Sequence, residues 1–276
     1  MKTMFLVLLS AAAVSCTSPV PASASAARGK TGAVPQAAQG NALVDVMALG
    51  RRIWQNECAG KQEGLVSWNA GEEFPSLGIG HFIWYPKGYR GPFEESWPSF
   101  VRFAQAKGAR VPSELQGTPP WSSRSAFMAD ARNPRVNAMR AWLARPGIVR
   151  LQTEFIMARS RQALPAMLAA SSQPREVEAR YHALSRTTGG MYALVDYVNF
   201  KGEGTNPDER YNGQGWGLLQ VLENMRGQPQ GSEACREFSR AAAGVLARRV
   251  ANSPKARGEQ RWLQGWTNRC KTYAGE

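Results

Sequence analysis

From Phe93 onward the apolar residues of this chain recur at helical spacing almost without interruption. Only one earlier stretch, residues 65–84, breaks that period, with glycines, extended-type residues and turn signals such as Asn-Ala-Gly-Glu-Glu at 69–73. This distribution limits the fold severely. Too few residues are left for an organising sheet, so the β element is expected to be one small antiparallel hairpin beside a larger helical body, an α+β, mostly helical class. The spacing predicts helices over 95–107, 122–131, 134–144 with Asn133 as cap and Pro134 in the first turn, and 148–170 with Pro165 inside it. Others are expected over 176–185, 191–200, 216–225, 232–251 and 259–271. Ahead of the hairpin, Asn41 offers an N-cap to a helix carrying Leu43, Val44, Val46, Met47, Leu49, Ile53 and Trp54 and ending at or just after Glu57.

The N-terminus reads as an export signal. Lys2 precedes an apolar run from Met4 to Val14, too short for a lasting anchor, and a small-residue tract follows. Two processing routes are open. Ala-Val-Ser-Cys ending at Cys16 resembles a lipoprotein signal, which would give a membrane tether through Cys16, whereas Ala-Ser-Ala at 22–24 suits ordinary signal peptidase. Residues 1–24 are therefore expected to be a signal, 25–40 a flexible linker of Ala, Ser, Pro and Gly, and 41–276 the folded domain. The expected location is the periplasm or cell envelope. There a formal charge of +13 suits anionic wall polymers and lipid surfaces and not nucleic acid, although high charge also serves solubility.

An oxidising compartment permits a disulfide, and Cys235 with Cys270, both in the C-terminal helical segment, is the expected pair. Cys58 is then an unpaired, buried thiol with a packing role. The two histidines, His81 and His182, lie 101 positions apart, so no zinc site, metal or cofactor is expected.

The hairpin offers chemistry. If residues 72–84 are extended, Glu72, Phe74, Ser76, Gly78 and Gly80 share one face while Glu73, Leu77, Ile79 and His81 share the other, a parity that Pro75 or a bulge can shift. The first face presents a carboxylate, a hydroxyl and two positions without side chains, where an elongated ligand could lie against the backbone. Upstream, Glu57 ends a helix beside Trp54 and Cys58, apolar company that suits a general acid. A carboxyl at a helix end across a cleft from a carboxylate on a strand is what cleavage of a glycosidic bond requires.

A helix ending in Glu, a glycine-rich connection, an acidic hairpin and Ser-Leu-Gly-Ile-Gly-His at 76–81 together resemble the lysozyme superfamily. That hexapeptide is similar to the Thr-Ile-Gly-Ile-Gly-His of phage-type lysozymes, and Asn-Glu-Cys-Ala-Gly at 56–60 to the Glu-Ser-Gly-Gly of soluble lytic transglycosylases and goose-type lysozymes. The resemblance covers residues 41–85, under a fifth of the chain. It implies Glu57 as general acid, Glu72 or Glu73 as second carboxylate and Ser76 as the hydroxyl that orients water. The 19 positions from Glu57 to Ser76 exceed the gap in phage-type enzymes, and Glu63, 13 positions from Ser76, mimics their local context. Glu63 is therefore the alternative acid; Glu57 is preferred because a helix terminus is the more rigid platform.

A second constellation lies at 196–225, where Tyr197, Asn199, Glu203, Tyr211, Gln214, Trp216 and Gln220 combine polar groups with aromatic faces and could line the opposite wall of a sugar cleft, as could Gly78, Gly80 and His81. Its Gly-Trp-Gly-Leu-Leu-Gln is similar to the Gly-Leu-Met-Gln of lytic transglycosylases. The same loop also reads as a salt-bridged helix connection. Trp262 and Trp266, four apart, read as core packing. The expected activity is cleavage of the peptidoglycan backbone by a monomeric muramidase or lytic transglycosylase. Its rivals are a chitosanase- or chitinase-like hydrolase and a non-catalytic wall-binding protein of the same fold.

Overall fold

The computed structural model describes residues 44–91 and 93–275; the signal, the linker, Cys16 and the Asn41 cap lie outside them. Helix α1, Val46–Cys58, is capped instead by Asp45, whose side chain accepts from the Ala48 amide at 2.9 Å. Three two-residue strands follow: β1, Val66–Ser67; β2, Ser76–Leu77; and β3, Phe82–Ile83, antiparallel in the order β1-β2-β3 with Val66 opposite Leu77 and Leu77 opposite Phe82.

The rest is helical: α2 (Trp97–Ala106), α3 (Arg124–Asp130), α4 (Pro134–Leu143), α5 (Pro146–Ala170), α6 (Pro174–Ser185) and α7 (Thr188–Lys201). A small hairpin of β4 (Arg210–Tyr211) and β5 (Gln214–Gly215) leads to α8 (Leu218–Asn224), α9 (Gly231–Asn252) and α10 (Leu263–Lys271). The mostly helical α+β class is as expected, and Asn133 caps α4 as the sequence predicts. Pro165 stays inside α5 without ending it.

Apolar faces of α1, α5, α7 and α9 meet in one core through residues such as Leu49, Met167, Leu194 and Phe238. The β element is attached to that core by Phe82, stacked on Phe100 at 5.2 Å and edge-on to Phe155 at 5.4 Å. Two buried polar side chains fix its position. Gln152 of α5 accepts from the Ile79 amide at 2.8 Å and donates to the Leu143 carbonyl at 2.9 Å; Arg140 of α4 donates to the Val66 carbonyl at 3.0 Å. Trp266 is buried and stacked on Trp262 at 5.9 Å, as core packing requires.

The expected disulfide is absent. Cys235 and Cys270 are separate buried thiols with different neighbours, Cys235 beside Thr187 and Gly189, Cys270 beside Asp196 and Lys201. Sharing a helical segment does not supply the converging Cβ geometry a disulfide needs. Cys58 is an unpaired buried thiol, in line with its expected packing role.

Candidate functional site

The end of α1 and the turn between β2 and β3 meet at one point. Glu57, one residue from the helix end, has a side chain 16% exposed, with Oε2 3.7 Å from Nδ1 of His81 and Oε1 accepting from Arg269 of α10 at 3.0 Å. Its company is thus charged, not apolar. Arg269 is shared: its Nε and Nη2 also donate to the Asp196 carboxylate at 2.8 and 2.7 Å, and that carboxylate, 3% exposed, accepts from the Tyr273 hydroxyl at 2.7 Å. Burial alone would lower the guanidinium pKa, but the hydrogen bonds and charge of Asp196, with Glu57 behind them, carry it above its ordinary value.

His81 reaches this position because its backbone is left-handed, φ 46°, in the turn that its amide closes onto the Gly78 carbonyl. Its Nε2 lies 3.4 Å from the Cys58 thiol. Thiol, imidazole and carboxylate in a row are the parts of a thiol hydrolase, yet burial, with the charge of Glu57, pushes the Cys58 pKa up to about 12. Cys58 also ends its helix at the negative pole of the dipole, where a thiolate is disfavoured. Cys58 is no nucleophile.

Of the two adjacent acids, Glu72 belongs to this cluster and Glu73 is exposed outside it. Burial raises the Glu72 pKa above the usual carboxylate range, partly offset by an Asn69 hydrogen bond and the charge of His81. Its Oε2 is sealed from solvent without a hydrogen-bond partner. Burial there disfavours the charged form of the carboxyl relative to a carboxyl in water. Glu63 is exposed on a short 3-10 turn, Gln62–Leu65, and faces the charge of Arg140.

The expected floor for a sugar chain is not there. Residues 72–84 do not form one strand, so the alternating face that would have aligned Ser76, Gly78 and Gly80 does not exist. Ser76 is 3% exposed inside β2. Gly78, φ 71°, is buried under Gln152, whose Oε1 would overlap a Cβ there, and a Cβ on Gly80 would meet Phe82 at 2.7 Å and Ile156 at 2.9 Å. These glycines admit core side chains and a tight turn.

The loop after α7 is corrected likewise. Tyr197 is wholly buried and donates to the Trp216 carbonyl at 2.9 Å. Trp216 packs under Arg249 at 4.2 Å, and Gln220 is buried, bonded to the Gly217 amide and the Gly204 carbonyl. The Tyr211 hydroxyl donates to Glu259, which is itself locked to Arg249 at 2.8 and 2.9 Å. Asn199 and Gln214 are exposed and Glu203 is half-buried; none joins the Glu57 cluster. The connection is held through Tyr211 and Trp216 against the Arg249–Glu259 pair, which lies outside it; among the described residues its own acids and arginines form no ion pair with one another.

Sequence reasoning missed Arg269, Asp196 and Gln152. Arg269 is 212 positions from Glu57, and nothing in the local pattern of α10 distinguishes it from the helix's other basic residue, Lys271. The β4–β5 hairpin did carry a signal, Asn212-Gly213 at its turn, both with positive φ. A surface cavity of about 370 Å³ lined by Tyr85, Lys87, Tyr89, Arg90, Phe93 and Glu95 among others includes none of the cluster residues. Compared with known proteins, the chain matches no family model, no curated protein and no solved structure.

Proposed function

We propose that this protein cleaves the glycan backbone of peptidoglycan by transglycosylation, with Glu57 as the single acid and base, on a lysozyme-like scaffold of helical lobe and small β element. The observation that carries the reading is the Glu57 carboxyl, partly open to solvent at a rigid helix end and oriented through one oxygen by Arg269 and through the other beside His81. Glu57 protonates the glycosidic oxygen, the bond to the anomeric carbon breaks, and a hydroxyl of the same sugar closes onto that carbon while returning its proton to Glu57. No water is consumed.

Transglycosylation is preferred to hydrolysis because hydrolysis asks for a second, ionised carboxyl. Glu72 is half-buried with one oxygen sealed from solvent and its pKa raised by burial, Glu73 is exposed and Ser76 is buried, so among the described residues the cluster holds no second carboxyl free of a burial cost and no open water-orienting hydroxyl. Envelope location, and a positive charge drawn to an anionic wall, complete the reading.

Turbidity loss of purified peptidoglycan tests it. Glu57→Gln is expected to lose about 10²–10⁴-fold in rate, the range of a general acid, while Glu72→Gln and Glu63→Gln stay within roughly tenfold of wild type. A wild type that binds the wall and releases nothing makes this a wall-binding protein; an inactive Glu63→Gln beside an active Glu57→Gln moves the acid to Glu63.

A further inference from the structure

We infer that Arg269 and Asp196 form a charge-balanced clamp through which the C-terminal helix α10 positions Glu57, so that the residues after α9 belong to the active site. The inference rests on the reaction proposed for Glu57. Arg269 joins three elements: its Nε and Nη2 make a bidentate pair with Asp196 of α7, and Nη2 also reaches Glu57 of α1. Its guanidinium lies over the Phe200 ring, 4.6 Å from the centroid, which fixes its plane.

The division of contacts gives Arg269 its use. A lone guanidinium beside a carboxylate would simply neutralise it and oppose proton uptake. Here the charge of Arg269 is answered by Asp196, which is buried and has two oxygens on it, and Glu57 receives the remaining hydrogen bond. Tyr273 donates to Oδ2 of Asp196, the oxygen that also accepts from Arg269 Nε, and holds that carboxylate in turn. Glu57 is therefore oriented by a cation whose charge it shares with Asp196. The other charged or titratable groups facing Glu57 are His81 from the β2–β3 turn and Cys58 from its own helix; Tyr192 of α7, under the Arg52 guanidinium at 3.8 Å, faces Arg269 and Asp196.

The same region explains the tether of α10. Arg52 and Asn56 of α1 bond to the Thr272 carbonyl and the Tyr192 hydroxyl, and that hydroxyl lies 3.2 Å from the Thr272 hydroxyl. The helix that carries Glu57 and the helix that carries Arg269 thus share a second set of contacts one turn away, which keeps the clamp in register.

Kinetics on soluble glycan strands test the clamp. Arg269→Ala is expected to lower kcat about 100-fold, the loss typical of a misplaced reacting group, with KM nearly unchanged and kcat partly restored by added guanidinium. Asp196→Asn leaves Arg269 uncompensated beside Glu57, so the alkaline limb of its pH–rate profile moves to lower pH, a change that lost packing alone does not produce. Wild-type kcat in Arg269→Ala, or an unmoved profile in Asp196→Asn, overturns the proposal. If wild type releases no fragments, the proposed reaction has failed and the clamp is read by NMR of the Arg269 guanidinium. Its protons should be resolved and slowly exchanging in wild type and in Glu57→Gln, and lost in Asp196→Asn. Protons that persist in Asp196→Asn overturn the clamp independently of activity.

Discussion

Two ionisable side chains, half-buried Glu72 and buried Lys201, carry costs that can be measured one residue at a time. Glu72 has its pKa raised by burial, so the unfolded chain gives up its proton more readily than the folded one. Whatever Glu72 contributes is fully present below the ordinary value of 4.5 and is lost as pH rises through the folded value. Glu72→Gln should therefore raise Tm more at pH 7 than at pH 4, and an equal gain at both would contradict the burial argument. Lys201 has the opposite sign. Its amine lies 3.4 Å from the Trp266 ring centre and 4.1 Å from that of Phe200, and burial, with Arg249 and Arg269, pulls its pKa down to about 6. Between about 6 and 10.5 the unfolded chain binds a proton that the folded chain does not, so stability falls as pH drops across that window and levels off below about 6. Lys201→Met should be more stable at pH 7 and should flatten that slope in a series of thermal melts.

At the scale of elements, the β2–β3 turn holds His81 in place only because α5 reaches it. Gln152 is fully buried and spends its whole amide on Ile79, Leu143 and Ile148. Gln152→Ala strands the Ile79 amide and opens a gap, a loss of about 2–4 kcal/mol in denaturant unfolding, and should lower activity along with it. Elements were the most legible part of the sequence. The helices from α2 to α10 lie close to where apolar spacing and caps put them, because each has enough turns for the period to show. The β element was legible as existing but not in its faces. Its strands are two residues long, and the positive φ of Gly78 and His81 ends the alternation before it can sort residues into two sides. Gly78 was read as space for a ligand when it is space for Gln152. One-dimensional spacing has no access to what stands opposite a glycine.

For the whole molecule, chemistry is concentrated where distant segments converge. Glu57 was visible as a helix-end acid, whereas Arg269, which meets it across 212 positions, and Asp196, which meets Arg269 across 73, were not, since only the packing of α1, α7 and α10 brings the three together. The expected disulfide does not form, as sharing the C-terminal helical segment does not by itself pair two thiols. A net charge of +13 belongs to this scale too and bears on encounter with charged partners, not on the fold. The central claim, that one carboxyl does the work with no activated water, is tested most directly by mass spectrometry of the fragments released from purified peptidoglycan. Transglycosylation predicts fragments ending in anhydro sugars, lighter by one water than their reducing counterparts. Fragments ending wholly in reducing sugars would contradict the account and require Glu72 or another group to serve as the second acid.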